Sequence, residues 1–230
     1  MQVSALRPFV LAAGLAAASL SAQALTLTIP TNFLVADSVQ KFSAVAMDSF
    51  SVAGVQVIPL GNATAVAGTD DAFRLPITTI TISNFKIAGG DAKGSALEIS
   101  RIAPRGTPSV GKKVGITLAN FTINYNTKQV LADITPLGGT TVRQAPLYNF
   151  NVATPLGLKY KFPLTVTGRE VLDRLTLTQQ TREAFISRLE LKAFEIGALD
   201  TVDTFGTLTQ EIFLQFRARP VSTTPYTPAP

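Results

Sequence analysis

Alternation of apolar and polar residues is the feature of this sequence that most limits how it can fold. From Leu156 to Val166 every second residue is apolar, and a similar period of two returns between Leu208 and Ala218. This period places the apolar side chains on one face of a β-strand. Glycine and proline punctuate the intervals between such segments, as is typical of antiparallel strands joined by turns. The sequence therefore predicts a mainly β fold, either an antiparallel β-sandwich or a partly closed barrel of bent hairpins.

One short helix is expected near residues 179–188. Thr178 precedes this segment, and a threonine hydroxyl can accept a hydrogen bond from an N–H group of the first helical turn. Thr181, Phe185 and Arg188 then recur at helical spacing. We expect this helix to cover one open end of the strands.

Several segments share a spacing of apolar residues around a phenylalanine. Ile80–Ile87 matches Ile116–Ile123 nearly residue for residue, and the same spacing recurs at Val45–Val52, Ala145–Val152 and Leu189–Ile196. In a straight strand the phenylalanine would face away from the apolar residues that precede it. Each segment is therefore predicted to be a strand with a bulge or a bend.

The two strongest copies place an asparagine at the predicted irregularity, Asn84 in one and Asn120 in the other. Asparagine adopts left-handed backbone angles more readily than most residues, which suits a bulge. If the five segments are equivalent strands, their five phenylalanine rings should all be buried. These are Phe50, Phe85, Phe121, Phe150 and Phe194.

The N-terminal segment predicts export. Phe9–Leu20 is an unbroken apolar run preceded by Arg7, and Ala22-Gln23-Ala24 fits the small-x-small rule for leader cleavage. Residues 1–24 are thus predicted to be a signal peptide, which makes Leu25 the first residue of a periplasmic or extracellular protein. The run is shorter than the ~20 residues that span a bilayer, and no later segment is longer, so no integral membrane span is expected in the mature chain.

The rest of the chain is predicted to form one β domain over residues 25–218. An alternative places two lobes on either side of residues 136–144, where proline and glycine cluster. Residues 219–230 contain four prolines and a run of serine and threonine, so the sequence predicts a disordered tail.

Histidine, cysteine and tryptophan are all absent. Their absence excludes catalytic groups that need an imidazole or a thiol, and it excludes haem, zinc and copper sites built on such ligands. We therefore expect no cofactor and no bound metal. The formal net charge is only +5, and aromatic residues do not alternate with the basic ones, so we expect no nucleic-acid partner.

Carboxylates are the main acid–base groups that remain. A glycoside hydrolase needs two of them separated by ~5 or ~9 Å, and no spacing in the sequence shows such a pair. We therefore assign no catalytic residue. The candidates that a hydrolase would have to use are Asp70, Asp71, Asp133, Asp200 and Asp203.

The segment from Arg101 to Lys113 is the candidate ligand-binding site. It contains four basic residues among prolines and glycines, and long loops on rigid β scaffolds often bind ligands. The candidate binding residues are Arg101, Arg105, Lys112 and Lys113. The alternative is a solvated loop whose lysines protect a sheet edge from aggregation.

These observations favour an exported, non-catalytic β protein that serves as a binding or structural module of the bacterial envelope or extracellular matrix. Its partner would be an unidentified envelope or matrix component, or a second copy of the chain. A carboxylate-dependent polysaccharide hydrolase is one alternative, although it would lack tryptophan platforms for sugars. An outer-membrane β-barrel is another, because Leu156–Val166 alternates as lipid-facing strands do. The proline-rich C-terminus argues against that barrel.

Overall fold

The computed structural model describes residues 26–83, 86–161 and 165–229, which contain twelve strands and three helices. The strands are β1 (Thr26–Pro30), β2 (Leu34–Lys41), β3 (Gln56–Gly61), β4 (Thr64–Ala65), β5 (Ala72–Pro76), β6 (Thr79–Ser83), β7 (Lys86–Ile102), β8 (Lys113–Asn124), β9 (Gln129–Pro136), β10 (Val142–Lys161), β11 (Thr165–Leu177) and β12 (Thr207–Phe216). The helices are α1 (Ala44–Ala53), α2 (Gln179–Arg188) and α3 (Ala193–Asp200).

All twelve strands belong to one antiparallel sheet in the order β1-β6-β7-β8-β9-β10-β11-β12-β2-β5-β4, with β3 paired to the second half of β7. The sheet curls on itself between β5 and β6. There the N–H of Ile77 donates to the carbonyl of Ala36 in β2, and the N–H of Thr78 donates to the carbonyl of Asp91 in β7. The predicted antiparallel β fold is confirmed, in the form of a partly closed barrel.

Bulges bend three of the longest strands. Gly94 in β7, Asn120 in β8 and Gln144 in β10 have positive φ angles of 77°, 53° and 47°, and the strand register shifts at each of them. The bulge predicted at Asn120 is confirmed. The equivalent Asn84, together with Phe85, lies outside the described residues. Ser83 and Lys86 pair with each other across β6 and β7, so that copy of the repeat is divided between two strands.

The helices pack against one end of the barrel through phenylalanine side chains. Phe50 of α1 stacks on Phe185 of α2 with ring centroids 6.4 Å apart, and Phe42 and Phe205 contact Phe50. The helix predicted near 179–188 is confirmed as α2, and the Thr178 hydroxyl accepts from the Thr181 N–H. Each helix has ten residues or fewer, so the described residues contain no helix that could cross a membrane.

Two copies of the phenylalanine repeat are not strands, so that prediction was wrong. Val45–Val52 lies inside α1, which begins after the cap at Ser43 and ends at Gly54 in left-handed conformation. Leu189–Ile196 runs from the end of α2 into α3. Phe50, Phe121 and Phe150 are buried as expected, whereas Phe194 is 63% exposed.

The alternating segment Leu156–Val166 is also divided between two strands. β10 ends at Lys161, β11 begins at Thr165, and these two residues pair, so the segment supplies both arms of a hairpin. Residues 162–164 lie outside the described part. Residues 136–144 contain the end of β9, the connection 137–141 and the start of β10, and these two strands pair directly within the same sheet.

Candidate functional site

The C-terminal segment, predicted to be disordered, lies against the barrel and forms neither helix nor strand. The N–H of Val221 donates to the Asn32 carbonyl at 3.1 Å, and the Asn62 side-chain amide donates to the Ser222 carbonyl at 2.7 Å. We call residues 222–228 the tail. Its partners come from distant parts of the chain, so the local composition of the segment could not show this contact.

Asn120 is the main contact of the tail. Its side-chain oxygen accepts from the Tyr226 N–H at 2.7 Å, and its side-chain nitrogen donates to the Tyr226 carbonyl at 2.9 Å. The same oxygen accepts from the Gly94 N–H, and the same nitrogen donates to Asp133. A carboxamide offers two donors and two acceptor positions, so this group is fully used. The side chain therefore bonds both the backbone N–H and the backbone carbonyl of one tail residue, Tyr226.

Two further side chains fix the orientation of the Asn120 carboxamide. Asp133 accepts from the backbone N–H of Gln144 at 2.8 Å and from its side-chain amide at 3.2 Å. Gln144 also donates from its side-chain amide to the Asn120 carbonyl at 2.9 Å. The bulges at Asn120 and Gln144 thus bring three polar side chains from neighbouring strands together. We call this set, with the surface around it, the tail groove.

Glycine forms the floor beneath the tail. A Cβ atom on Gly61 would lie 2.9 Å from the ring of Tyr226, and one on Gly94 would lie 2.9 Å from the carbonyl oxygen of Thr224. Both glycines also have positive φ, which any side chain would strain. A larger residue at either position would collide with the tail and, at still shorter range, with the Gly94 carbonyl or the Asn62 side chain.

The tail does not fill the groove. A volume of about 510 Å³ remains open beside it, lined by threonines, by Lys93, Arg143 and Gln144, and by the carboxylate of Asp133. The side chains of Lys93 and Arg143 are exposed at this surface. The groove therefore combines a fixed contact for a peptide backbone with positive charge at its rim.

The comparisons with known proteins give one distant likeness. The chain matches no protein-family model and no curated protein. Among solved structures it is similar to the C-terminal domain of HtaA from Corynebacterium glutamicum. The identity is 11%, the match covers 78% of this chain and 98% of that chain, and the TM-score is 0.43. This likeness is too distant to assign a function.

Arg101, one of the predicted ligand-binding residues, is buried and fully hydrogen-bonded. Its guanidinium forms a bidentate pair with Glu195 and donates to the carbonyls of Ala53, Leu189 and Glu190, at distances of 2.7–3.1 Å. These contacts use all five N–H donors of an arginine, so none remains for a ligand. The sequence showed the cation but not the partner, which lies 94 residues away.

The other three predicted residues do not join Arg101 in one site. Arg105 and Lys112 are exposed, and their role as ligand contacts stays a prediction. Lys113 pairs with Glu98 at 2.5 Å. Burial acts to raise the pKa of Glu98, but the hydrogen bonds from Lys113 and Ser100 outweigh it and hold that pKa below its ordinary value.

The carboxylates of the hydrolase alternative are dispersed. Asp71 lies 3.7 Å from Lys41, Asp200 pairs with Arg182 at 2.5 Å, and Asp133 belongs to the tail groove. Within residues 26–83, 86–161 and 165–229, no three acidic side chains come together as ligands for a metal ion.

The barrel interior contains a row of polar side chains but no room for a substrate. Glu170, Gln210 and Ser38 occupy matching positions on β11, β12 and β2, and Tyr125 donates a short hydrogen bond to Glu170. Burial raises the pKa of Glu170, although its hydrogen bond with Tyr125 opposes this; burial and the same contact raise the pKa of Tyr125. The adjoining cavities measure about 30 and 20 Å³, a size suited to one water each rather than to an organic ligand.

Proposed function

We propose that this protein is a non-catalytic binding module of the cell envelope or extracellular matrix, and that the tail groove binds extended, proline-containing peptide segments. The observation that carries the proposal is the two-way hydrogen bond between the Asn120 carboxamide and the backbone of Tyr226. Such a contact recognises the backbone N–H and carbonyl of a residue whatever its side chain. In this chain the tail is the bound segment.

The sequence of the tail supports an extended ligand. Pro225 and Pro228 flank Tyr226 and Thr227, and each proline disfavours helical geometry in the residue before it. A proline-rich segment is largely extended before binding, so less conformational entropy is lost when it binds. The ring of Tyr226 against Gly61 supplies the apolar part of the contact.

The rim of the groove indicates which segments would compete with the tail. Lys93 and Arg143 are exposed beside the open volume, and the tail itself contains no acidic residue. A partner segment with an added carboxylate would gain attraction to these two cations, which outnumber the single carboxylate of Asp133 at the same volume. The ligand class is therefore an extended, proline-containing peptide with acidic residues next to the prolines.

Peptide titration tests the proposal. A variant that ends at Val221 lacks the tail and should bind a labelled synthetic peptide of residues 222–230, whereas the full chain should bind it much more weakly because its own tail competes at millimolar effective concentration. Fluorescence anisotropy gives both dissociation constants. A peptide with Thr227 replaced by glutamate should bind the shortened chain more tightly, and added salt should reduce that difference.

Asn120→Gly in the shortened chain is the decisive variant, because glycine keeps the left-handed backbone and removes the carboxamide. It should abolish peptide binding. Arg174→Gly is the matched control, since Arg174 also has positive φ and is exposed, and it should bind as before. If the shortened chain does not bind the peptide, or if Asn120→Gly binds it equally well, the tail is only a structural strap and the proposal is wrong.

A further inference from the structure

Three exposed phenylalanines lie at the end of the barrel away from the helices. Phe33 is 55% exposed, Phe213 36% and Phe216 78%. Phe213 pairs with Val35 across β12 and β2, Phe216 pairs with Leu34, and the N–H of Arg217 donates to the Phe33 carbonyl. Because Leu34 and Val35 are successive residues of β2, Phe213 and Phe216 lie on opposite faces of the sheet. We call these three residues the phenylalanine end. This end of the sheet thus carries exposed aromatic rings on both of its faces, which is unusual for a protein that stays free in water.

Cations surround the phenylalanine end. Lys159 and Thr167 share a cross-strand row with Phe213, and Arg169 occupies the next row; both cations are exposed. Arg219, which follows Phe216 by three residues, is exposed as well. This end therefore offers apolar rings together with unburied positive charge.

Positive charges outnumber negative ones in these rows. Glu211 faces Arg169 across β11 and β12. Asp37, the next residue in that row, is buried and accepts from both Arg74 and Arg217. The net charge of these rows is positive.

We infer that the phenylalanine end docks onto an anionic lipid surface. Phenylalanine rings have no hydrogen-bonding groups and enter the boundary between lipid headgroups and acyl chains, while lysine and arginine remain in contact with the phosphates. A second copy of the chain fits less well, because a symmetric contact would place two positive surfaces against each other. The inference does not involve the tail groove, so either proposal can fail without the other.

A single tryptophan provides the test, because the full chain contains none and its emission would come from one place. Phe216→Trp should shift its emission to the blue on addition of phosphatidylglycerol vesicles, and brominated acyl chains should quench it. Phosphatidylcholine vesicles should give a much smaller shift, and salt should reverse the binding. Phe194→Trp is the matched control, since Phe194 is similarly exposed but lies on α3 at the other end of the barrel, and its emission should not change.

Vesicle sedimentation of the full chain supplies the second measurement. Replacing both Phe33 and Phe216 by serine should lower the partition coefficient by about tenfold or more for each ring removed, whereas Phe194→Ser should leave it unchanged. Circular dichroism checks that the variants fold. The inference is overturned if phosphatidylglycerol vesicles do not bind the chain, or if Phe194→Ser weakens binding equally. It is also overturned if soluble polyglutamate produces the same blue shift as the vesicles, because the surface would then recognise an acidic polypeptide.

Discussion

Arg101 should be one of the most destabilising positions in the chain to truncate. Its guanidinium connects β7 to the last residue of α1, to the residues that follow α2, and to Glu195 in α3. The side chains of Arg101 and Glu195 are 1% and 5% exposed, so solvent screens their interaction little. Arg101→Ala would leave a carboxylate and three backbone carbonyls buried without their donor.

Removing one partner of a buried ion pair costs about 3–5 kcal/mol, mainly because the other charge stays buried and uncompensated. Arg101→Ala should therefore lower the free energy of unfolding by about this amount. Adding Glu195→Ala to the Arg101→Ala variant removes the carboxylate that has lost its partner. The double variant should consequently be no less stable than Arg101→Ala alone, with a coupling energy of about 2 kcal/mol or more.

Urea titration followed by far-ultraviolet circular dichroism measures these differences, with Arg105→Ala as an exposed control that should change stability by less than about 0.5 kcal/mol. The pH dependence gives an independent check. Burial acts to raise the pKa of Glu195, but the hydrogen bonds from Arg101 and from the Lys192 N–H outweigh it and hold that pKa below its ordinary value of 4.5. The stability from this group is thus present above pH 4.5 and is lost as pH falls through the lowered pKa.

In the Arg101→Ala variant, burial still raises the pKa of Glu195 but the opposing hydrogen bond from Arg101 is lost. The contribution of Glu195 to the free energy of unfolding should therefore reverse sign and decline as pH rises above 4.5. The reasoning that the ion pair stabilises the packing of the helices on the sheet is refuted by either of two results. One is a loss of unfolding free energy below about 1 kcal/mol for Arg101→Ala, and the other is additivity of the two single-variant effects in the double variant.

Three further predictions use simple assays. Phe121→Ala or Phe150→Ala should cost about 3–5 kcal/mol in urea titrations, whereas Phe194→Ala should cost less than about 0.5 kcal/mol. Because burial raises the pKa of Glu170 above 4.5, its stabilising contribution is complete below that pH and declines as pH rises through the raised pKa; the stability difference between Glu170→Gln and the parent chain should therefore change with pH in that range. Intact-mass measurement of protein recovered outside the cytoplasm should give a chain beginning at Leu25, and a species retaining Met1 there would contradict the export prediction.

The strands were easier to predict than the helices, because period-two alternation is a local signal. The repeat pattern gave a wrong prediction at Val45–Val52. Its apolar residues include pairs three and seven residues apart, and this spacing also suits a helix. The signals that decide this case were present in the sequence: Ser43 caps α1, and Gly54 ends it in left-handed conformation. Cap residues therefore distinguish a helix from a strand where the spacing of apolar residues suits both.

The candidate site was only half predictable. Asparagine at position 120 indicated a bulge, and the bulge is there. The use of its carboxamide was not predictable, because Tyr226 is 106 residues away and composition describes the tail only as unable to form a helix or a core. The same limit applied to Arg101, which in the sequence is one of four cations in a loop and in the structure is a buried contact between helices and sheet.

The pairing of β2 with β12 determines when the chain can finish folding. β2 can pair with β5 soon after both have been synthesised. Its other edge stays unpaired until residues 207–216, which form β12, have been synthesised. Contacts between such distant segments make folding slow, and an open strand edge is prone to aggregation until it is covered. The nascent chain therefore cannot reach its native state before its last strand has been made. This delay suits a chain with the predicted leader, since a polypeptide that passes through a membrane channel must remain unfolded until it has crossed.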